Sequence, residues 1–514
     1  MYLVSHRPRY LFLVLLLFSA VLPAWSDLDD QVGVVLVKAG TTFAEPCPDE
    51  VFLRRVYLDL CGTLPRPEET ESFLRSKDPG KRSALVDELL GREEYADYWA
   101  LRWGDVLRVK SEFPINLWPN AVQAYHRWLR DAVKTNLGYD RFARALLTSS
   151  GSNFRDPPVN FYRAVPARDP GTLAKAAALT FLGTRLETWP PAAQADLAAF
   201  FSRVTYKRTL EWKEEIVYSD PLASGELRLR FPDGGTVVAR VGEDPRTAFA
   251  DWLLAPGNPW FTRALVNRVW YWLLGTAPVE PADALAWAPG GKPAGAGDGE
   301  GLLAFLETEF RRSGCDIRAL IRLIAVSRTY QQSAVRLPEG YSRAPAFARY
   351  TLRRLDAEIL ADAFTWIGGV GPNYVSPIPE PFTFVPDTER SIALTDGSIS
   401  SSFLVRFGRP ARDTGLLSER DNRATEDQAL YLLNSNELKK RIDASPVLKP
   451  VYMLGAGRQA EQVRRLYFIL LSRFPSPGEA EAAAAYYRSA GDPGRVVRDL
   501  AWALINGKEF LYRH

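Results

Sequence analysis

Histidine, cysteine and methionine are scarce in this 514-residue chain, which has three His, three Cys and two Met. His6 lies in the extreme N-terminal segment, which leaves His126 and the last residue, His514. A Ser-His-Asp hydrolase would have to use His126, which sits in Tyr125-His126-Arg127-Trp128 with no nucleophile motif beside it. G-x-S-x-G, a P-loop, G-x-G-x-x-G after a strand, H-E-x-x-H and C-x-x-C are all missing. Without C-x-x-C-H there is no usual site for covalent c-type haem. The expectation is therefore no cofactor and no metal. Charge of one sign is lacking too: 64 basic against 61 acidic residues give a formal charge of +3. A near-neutral surface gives no electrostatic reason for a nucleic-acid or anionic-membrane partner. Carboxylate-only chemistry stays open, because glycoside hydrolysis needs just two acids at a set separation.

What is present is a globular composition with 12% aromatics and 14 Trp, enough for a large packed core. The N-terminal 26 residues carry Arg7 and Arg9, an apolar run over 10–22, and Ala24-Trp25-Ser26. That order predicts a secretory signal cleaved after Ser26, with an uncleaved anchor as the alternative. No later run reaches the 18 apolar residues of a membrane helix, so no span is expected after cleavage. The protein is expected outside the cytoplasm, periplasmic or secreted, with an unidentified protein or glycan as its partner there. Cys47, Cys61 and Cys315 would then meet disulfide-permissive conditions. Cys47 and Cys61 are the nearest pair, and three buried thiols are the alternative.

Most of the chain reads as helix. Apolar spacing predicts helices over 51–60, from Pro67, over 81–90, from Glu93 and over 122–133. In the fourth, Tyr95, Tyr98, Trp99, Arg102, Trp103 and Val106 form one stripe, read as core. Residues 148–165 break the rhythm with Gly151, Pro157 and Pro158, and carry Asn153, Arg155, Asn160 and Tyr162. Such a loop is a candidate binding site; equally, its amides could cap neighbouring backbone. Alternating runs around Asp233-Gly234-Gly235 predict short strands. The 261–274 run is apolar nearly all round and interrupted by Arg263, Asn267 and Arg268. Buried arginine needs partners, so at least one is expected to pair with an acid from another segment, with Asp251, Glu358 and Glu419 as candidates. A functional pocket is the alternative. Residues 288–301 read as a flexible loop or linker. Asp316 reads as an N-cap, and Thr425/Gln428 and Ser476/Glu479 as capping boxes. The fold class is mainly α: two helical domains with a small β-hairpin unit between them. The expected divisions are 27–207, 208–243 and 244–514.

Several blocks are familiar as text. VFLRRVYLDLCGTLPRPEETESFL at 51–74, REEYADYWALRWGDVLRV at 92–109 and GSNFRDPPVNFYRAV at 151–165 resemble the planctomycete-specific cytochrome-associated domain of the second type. DWLLAPGNPWFTRALVNRVW at 251–270, FGRPARDT at 407–414, QALYLLNSNEL at 428–438 and LSRFPSPGEAE at 471–481 resemble its usual partner, the first planctomycete-specific domain of unknown function. The resemblance implies exported proteins often linked to c-type cytochrome modules, with no settled activity. Where the family pattern carries Cys-x-x-Cys-His, this chain has Thr188-Trp189-Pro190-Pro191-Ala192-Ala193. Where it carries Cys-x-Cys before Glu-Arg, this chain has Leu416-Leu417-Ser418 before Glu419-Arg420. That pair joins Arg263, Asn267 and Arg268 as binding candidates. The pattern suits a haem motif lost from a retained scaffold, and a chain that never had one fits equally. The functional expectation is a cofactor-less binding or scaffold protein of a family linked to extracytoplasmic redox or surface assemblies. The alternative is a carboxylate-based hydrolase acting on polysaccharide.

Overall fold

A computed structural model of the chain describes residues 27–334, 345–386, 388–455, 457–490 and 492–514. The signal-peptide expectation for residues 1–26 lies outside them. The protein is mainly α, and among the described residues its sheets are all small and antiparallel. Among the described residues no helix is long and apolar enough to cross a membrane.

Helix Asp49–Leu60 opens with Asp49 and Glu50, whose charges suit the positive end of the helix dipole. It stops at Gly62, where φ is +61° and an added Cβ would lie 2.6 Å from the Tyr98 ring, so only glycine fits. Tyr98 belongs to helix Glu93–Val106, whose aromatic stripe is buried as its spacing predicts. Trp99 and Trp103 both meet Trp272 edge-on, with centroids 5.6 and 5.4 Å away. Trp272 sits in helix Phe261–Leu274. The stripe therefore joins the two halves of the chain, and one apolar core runs through both. In the second half Asp316 caps Ala319 N at 2.9 Å. Thr425/Gln428 and Ser476/Glu479 each form the reciprocal pair of a capping box.

The strands do more than make a hairpin. Strands β1 (Gly151–Ser152), β2 (Val204–Arg208) and β3 (Glu215–Ser219) form an antiparallel sheet in the order β1-β3-β2. Strands β4 (Leu227–Arg230) and β5 (Thr236–Ala239) form the hairpin around Asp233-Gly234-Gly235. The polar 148–165 loop thus donates an edge strand to the sheet. At the β2–β3 tip, Trp212 packs on Trp118 (4.8 Å) and Phe382 (5.3 Å), tying the sheet to both halves.

The glycine-rich 288–301 stretch is a loop built into the fold, which keeps the loop reading and corrects the linker reading and the flexibility ascribed to it. Trp287–Ala288 pairs with Lys292–Pro293, and Trp260 Nε1 donates to Gly291 O at 2.8 Å. An added Cβ on Gly291 (φ +67°) would lie 1.7 Å from Pro232 O. The glycines there serve close packing as much as freedom. All three cysteines are free thiols, with Cys47 and Cys61 buried.

Candidate functional site

A dense concentration of buried charge lies between the two halves. Helix Glu93–Val106 presents Tyr98, Arg102 and Asp105 at i, i+4 and i+7, which is one face. The short strand Arg353–Arg354 pairs with Tyr512–Arg513, which sets Arg353 opposite Arg513. Helix Ala357–Gly368 follows at once, and its N-cap Asp356 and first-turn Glu358 point to the same centre. Asp356 is fully buried and accepts from Arg102 and Arg513 at 2.7 Å each, from Tyr98 OH at 3.0 Å and from Asn422 at 2.6 Å. Asp59 accepts from Arg353 and Arg513 at 3.1 Å each and from Tyr330 OH (2.8 Å) and Tyr350 OH (3.0 Å). Asp105 binds Arg412 at 2.9 Å and Arg420 at 2.7 Å, and Arg420 reaches on to Glu358 at 2.6 Å. Arg409 lies 3.4 Å from Glu358.

Two of these carboxylates, Asp356 and Asp105, are committed to the charged form. Burial pushes the Asp356 carboxyl up, but Arg102, Arg513 and Arg420 outweigh it and hold the group well below the usual range. Asp105 is lowered in the same way, burial being overcome by Arg420 and Arg412. Cations nevertheless outnumber acids. Arg102, Arg353, Arg354, Arg409, Arg412, Arg420 and Arg513 gather around Asp59, Asp105, Asp356 and Glu358, a local excess of three positive charges in which six arginines share the four carboxylates and Arg354 pairs with none of them. Backbone carbonyls take part of the excess: Arg354 Nη2 donates to Phe407 O (2.7 Å) and Asp421 O (3.0 Å). Its Nε and Nη1 have no hydrogen-bond partner although the residue is only 3% exposed.

This network forms the floor of a cleft of about 640 Å³. Six arginines line it (Arg102, Arg353, Arg354, Arg420, Arg423 and Arg513) against two acids, Asp105 and Asp421. Tyr271, Trp272 and Tyr512 supply aromatic wall. Of the residues singled out from sequence, Arg420 sits here. Glu419 beside it instead holds a turn, accepting from Thr414 N and Oγ1 at 2.6 Å.

The remaining candidates lie elsewhere. Asn153 clasps β3, accepting from Glu215 N (2.9 Å) and donating to Lys213 O (3.2 Å). Asn160 donates to Asn153 O at 2.8 Å, and Tyr162 OH donates to Leu147 O. Arg155 is exposed and lies 3.6 Å from Glu211. Arg263 is largely buried and pairs with Glu300 (2.5 Å) and Glu307 (2.9 Å), acids from another segment as expected but not the three named. Asp251 pairs with Arg144 instead. Arg268 is buried and meets no acid: it donates to the carbonyls of Thr180 and Leu179 at 2.8 Å each. Those oxygens close a helix, where a cation is favoured. Asn267 clamps Val279 through both its amide atoms, at 2.9 and 3.0 Å. Burial pushes His126 down to about 3, so it stays neutral.

Residues 27–206 match the family model PSCyt2, Protein of unknown function (DUF1549). Residues 245–487 match PSD1, Protein of unknown function (DUF1553). The chain is a PSCyt2–PSD1 protein. No curated protein and no solved structure matches it. The arginine cleft is therefore an inter-family site: Arg102 and Asp105 come from the PSCyt2 half, and Arg353, Arg420 and Asn422 from the PSD1 half. In the PSCyt2 half, the place where the resemblance put a haem motif is filled by packing. Trp189 lies 4.2 Å from Trp287 and 5.2 Å from Trp260, and donates to Thr184 Oγ1 at 3.1 Å. With no thiol or imidazole over 188–196, the residues present do not fit a covalent haem.

Proposed function

We propose that this PSCyt2–PSD1 protein is an exported binding protein, acting without a resident cofactor, that holds an anionic ligand in the arginine cleft. The observation that carries this reading is the excess of guanidinium over carboxylate at the floor and walls of a solvent-open cavity. Arginines that must share too few carboxylates at a half-buried floor are costly, and a carboxylate, sulfate or phosphate group entering the cleft would offset that cost through charge-assisted hydrogen bonds. Arginine's planar fork suits such oxygens better than lysine would. The aromatic wall and the volume favour an organic anion, such as an acidic sugar or small polycarboxylate, over a bare ion. Export rests on the pattern of the first 26 residues.

The hydrolase alternative fits this cleft poorly. A glycosidase needs one carboxyl that keeps its proton near neutral pH, whereas Asp105 and Asp356 are both held in the charged form. The test is thermal unfolding of the purified protein against sulfate, phosphate, citrate and a uronic acid. Stabilisation by an oxyanion that Arg423→Glu removes supports the reading, and a flat response to the whole panel contradicts it. Mass spectrometry of protein exported by its native host tests the location, with Asp27 expected as the first residue.

A further inference from the structure

A second depression lies along the same seam, and its chemistry differs. One part, of about 510 Å³, lies between the start of helix Pro67–Arg75 and helix Gln459–Leu471. Another, of about 270 Å³, lies between the 63–69 turn, Glu94 and helix Ala357–Gly368. The two share Arg66 and Trp366, so they adjoin at the half-buried Trp366 and make a two-part groove. Together they reach the roughly 300–1,000 Å³ typical of organic-ligand sites.

Over its lining side chains the groove is balanced in charge. Arg66, Arg92, Arg390, Arg464 and Arg465 are matched by Glu68, Glu69, Glu71, Glu94 and Asp362. Much of this charge is tied up in pairs: Arg92 holds Glu69 at 2.8 Å, and Arg464 and Arg465 hold the neighbouring Glu461 at 2.8 and 2.7 Å. An anion would meet five carboxylates here, and a cation five arginines. A neutral ligand with many hydroxyls suits both, since each hydroxyl donates to a carboxylate and accepts from a guanidinium. An indole face between such groups suits the C–H face of a pyranose ring, which is apolar while its edge is polar.

From this placement we propose that the Trp366 groove binds a neutral oligosaccharide, with one ring stacked on Trp366 and its hydroxyls on the flanking arginine and carboxylate groups. The site is separate from the arginine cleft and does not depend on it. The experiment is a microarray of neutral and acidic oligosaccharides probed with the full chain, followed by titration calorimetry on the best neutral binder. Wild type is expected to bind a neutral oligosaccharide, and Trp366→Ala to weaken it about tenfold or more. Trp366→Phe should retain part of the affinity. Glu68→Ala with Arg465→Ala, both on the solvent side, guards against a folding defect in the indole variant and should also weaken binding. Failure to bind any neutral glycan, or binding unchanged in both the Trp366→Ala and the double variant, would overturn the proposal. Binding confined to acidic glycans and competed away by citrate would also overturn it, and would assign recognition to the arginine cleft.

Discussion

Two depressions on one seam are lined by the same kinds of side chain, yet they come out chemically opposite. In the arginine cleft every buried acid faces more than one cation, and the carboxyls of Asp105 and Asp356 are held low. In the Trp366 groove Asp362 faces only Arg390, at 3.6 Å, and burial pushes it up to about 6 despite N–H donors from Ser391 and Ile392. The difference is one of counting. Where guanidinium exceeds carboxylate the site is poised for an anion, and where the two balance it offers donors and acceptors without a field.

The largest effect is expected in the cleft floor. Asp356→Asn leaves Arg102 and Arg513 without their shared anion and should cost ~3–5 kcal/mol in denaturant unfolding. The same change at the groove, Glu69→Gln, should cost about 1 kcal/mol or less, because that pair is partly hydrated. Equal losses at the two positions would break the distinction. Next is Arg268→Met, which keeps the volume but strips the donors from Leu179 O and Thr180 O. Its expected cost is about 1–3 kcal/mol, the range for orphaned buried polar groups, read from the same unfolding curves. If Arg268→Met and Arg263→Ala both leave the melting temperature unchanged, the buried-helix account is wrong.

A finer probe is pH. Asp362 has a folded pKa above its unfolded value near 3.8, so the folded state holds the extra proton and stability falls as pH rises from about 4 to about 6. Asp105 and Asp356 have lowered values and act with the opposite sign, losing stability as pH drops below about 4. Asp362→Asn should therefore gain on wild type as pH rises from 4 to 6 and gain no more above it. A gap that is constant over this range would remove the contrast. The smallest expected effect is that of reductant: with three free thiols, dithiothreitol should leave the melting temperature unmoved.

Local signals in the chain proved readable where one segment carries the whole physics. The stripe from Tyr95 to Val106, the capping boxes and the Asp233-Gly234-Gly235 turn each lie within a few residues. Arg263 could be expected to find acids because an arginine in an apolar helix must, but nothing local said that they would be Glu300 and Glu307. Asp59, Asp356 and Arg513 carry no local signal, because their partners lie far along the chain and each looks alone like a surface charge, while Arg102 reads only as part of the core stripe. Arg420 was reached only through the family resemblance. The 151–163 loop shows the converse. Asn153 and Asn160 carry the groups of a binding site, and a sequence cannot say whether an amide meets a ligand or its own backbone.

Titration calorimetry of citrate into the full chain at two salt concentrations addresses the central claim, that the cation excess between the halves holds an anion. The account predicts one site per chain whose affinity falls with added salt, as screened charge requires, and falls again in Arg423→Glu, a substitution at the exposed lip. Salt-independent binding, or binding that Arg423→Glu leaves intact, would contradict it.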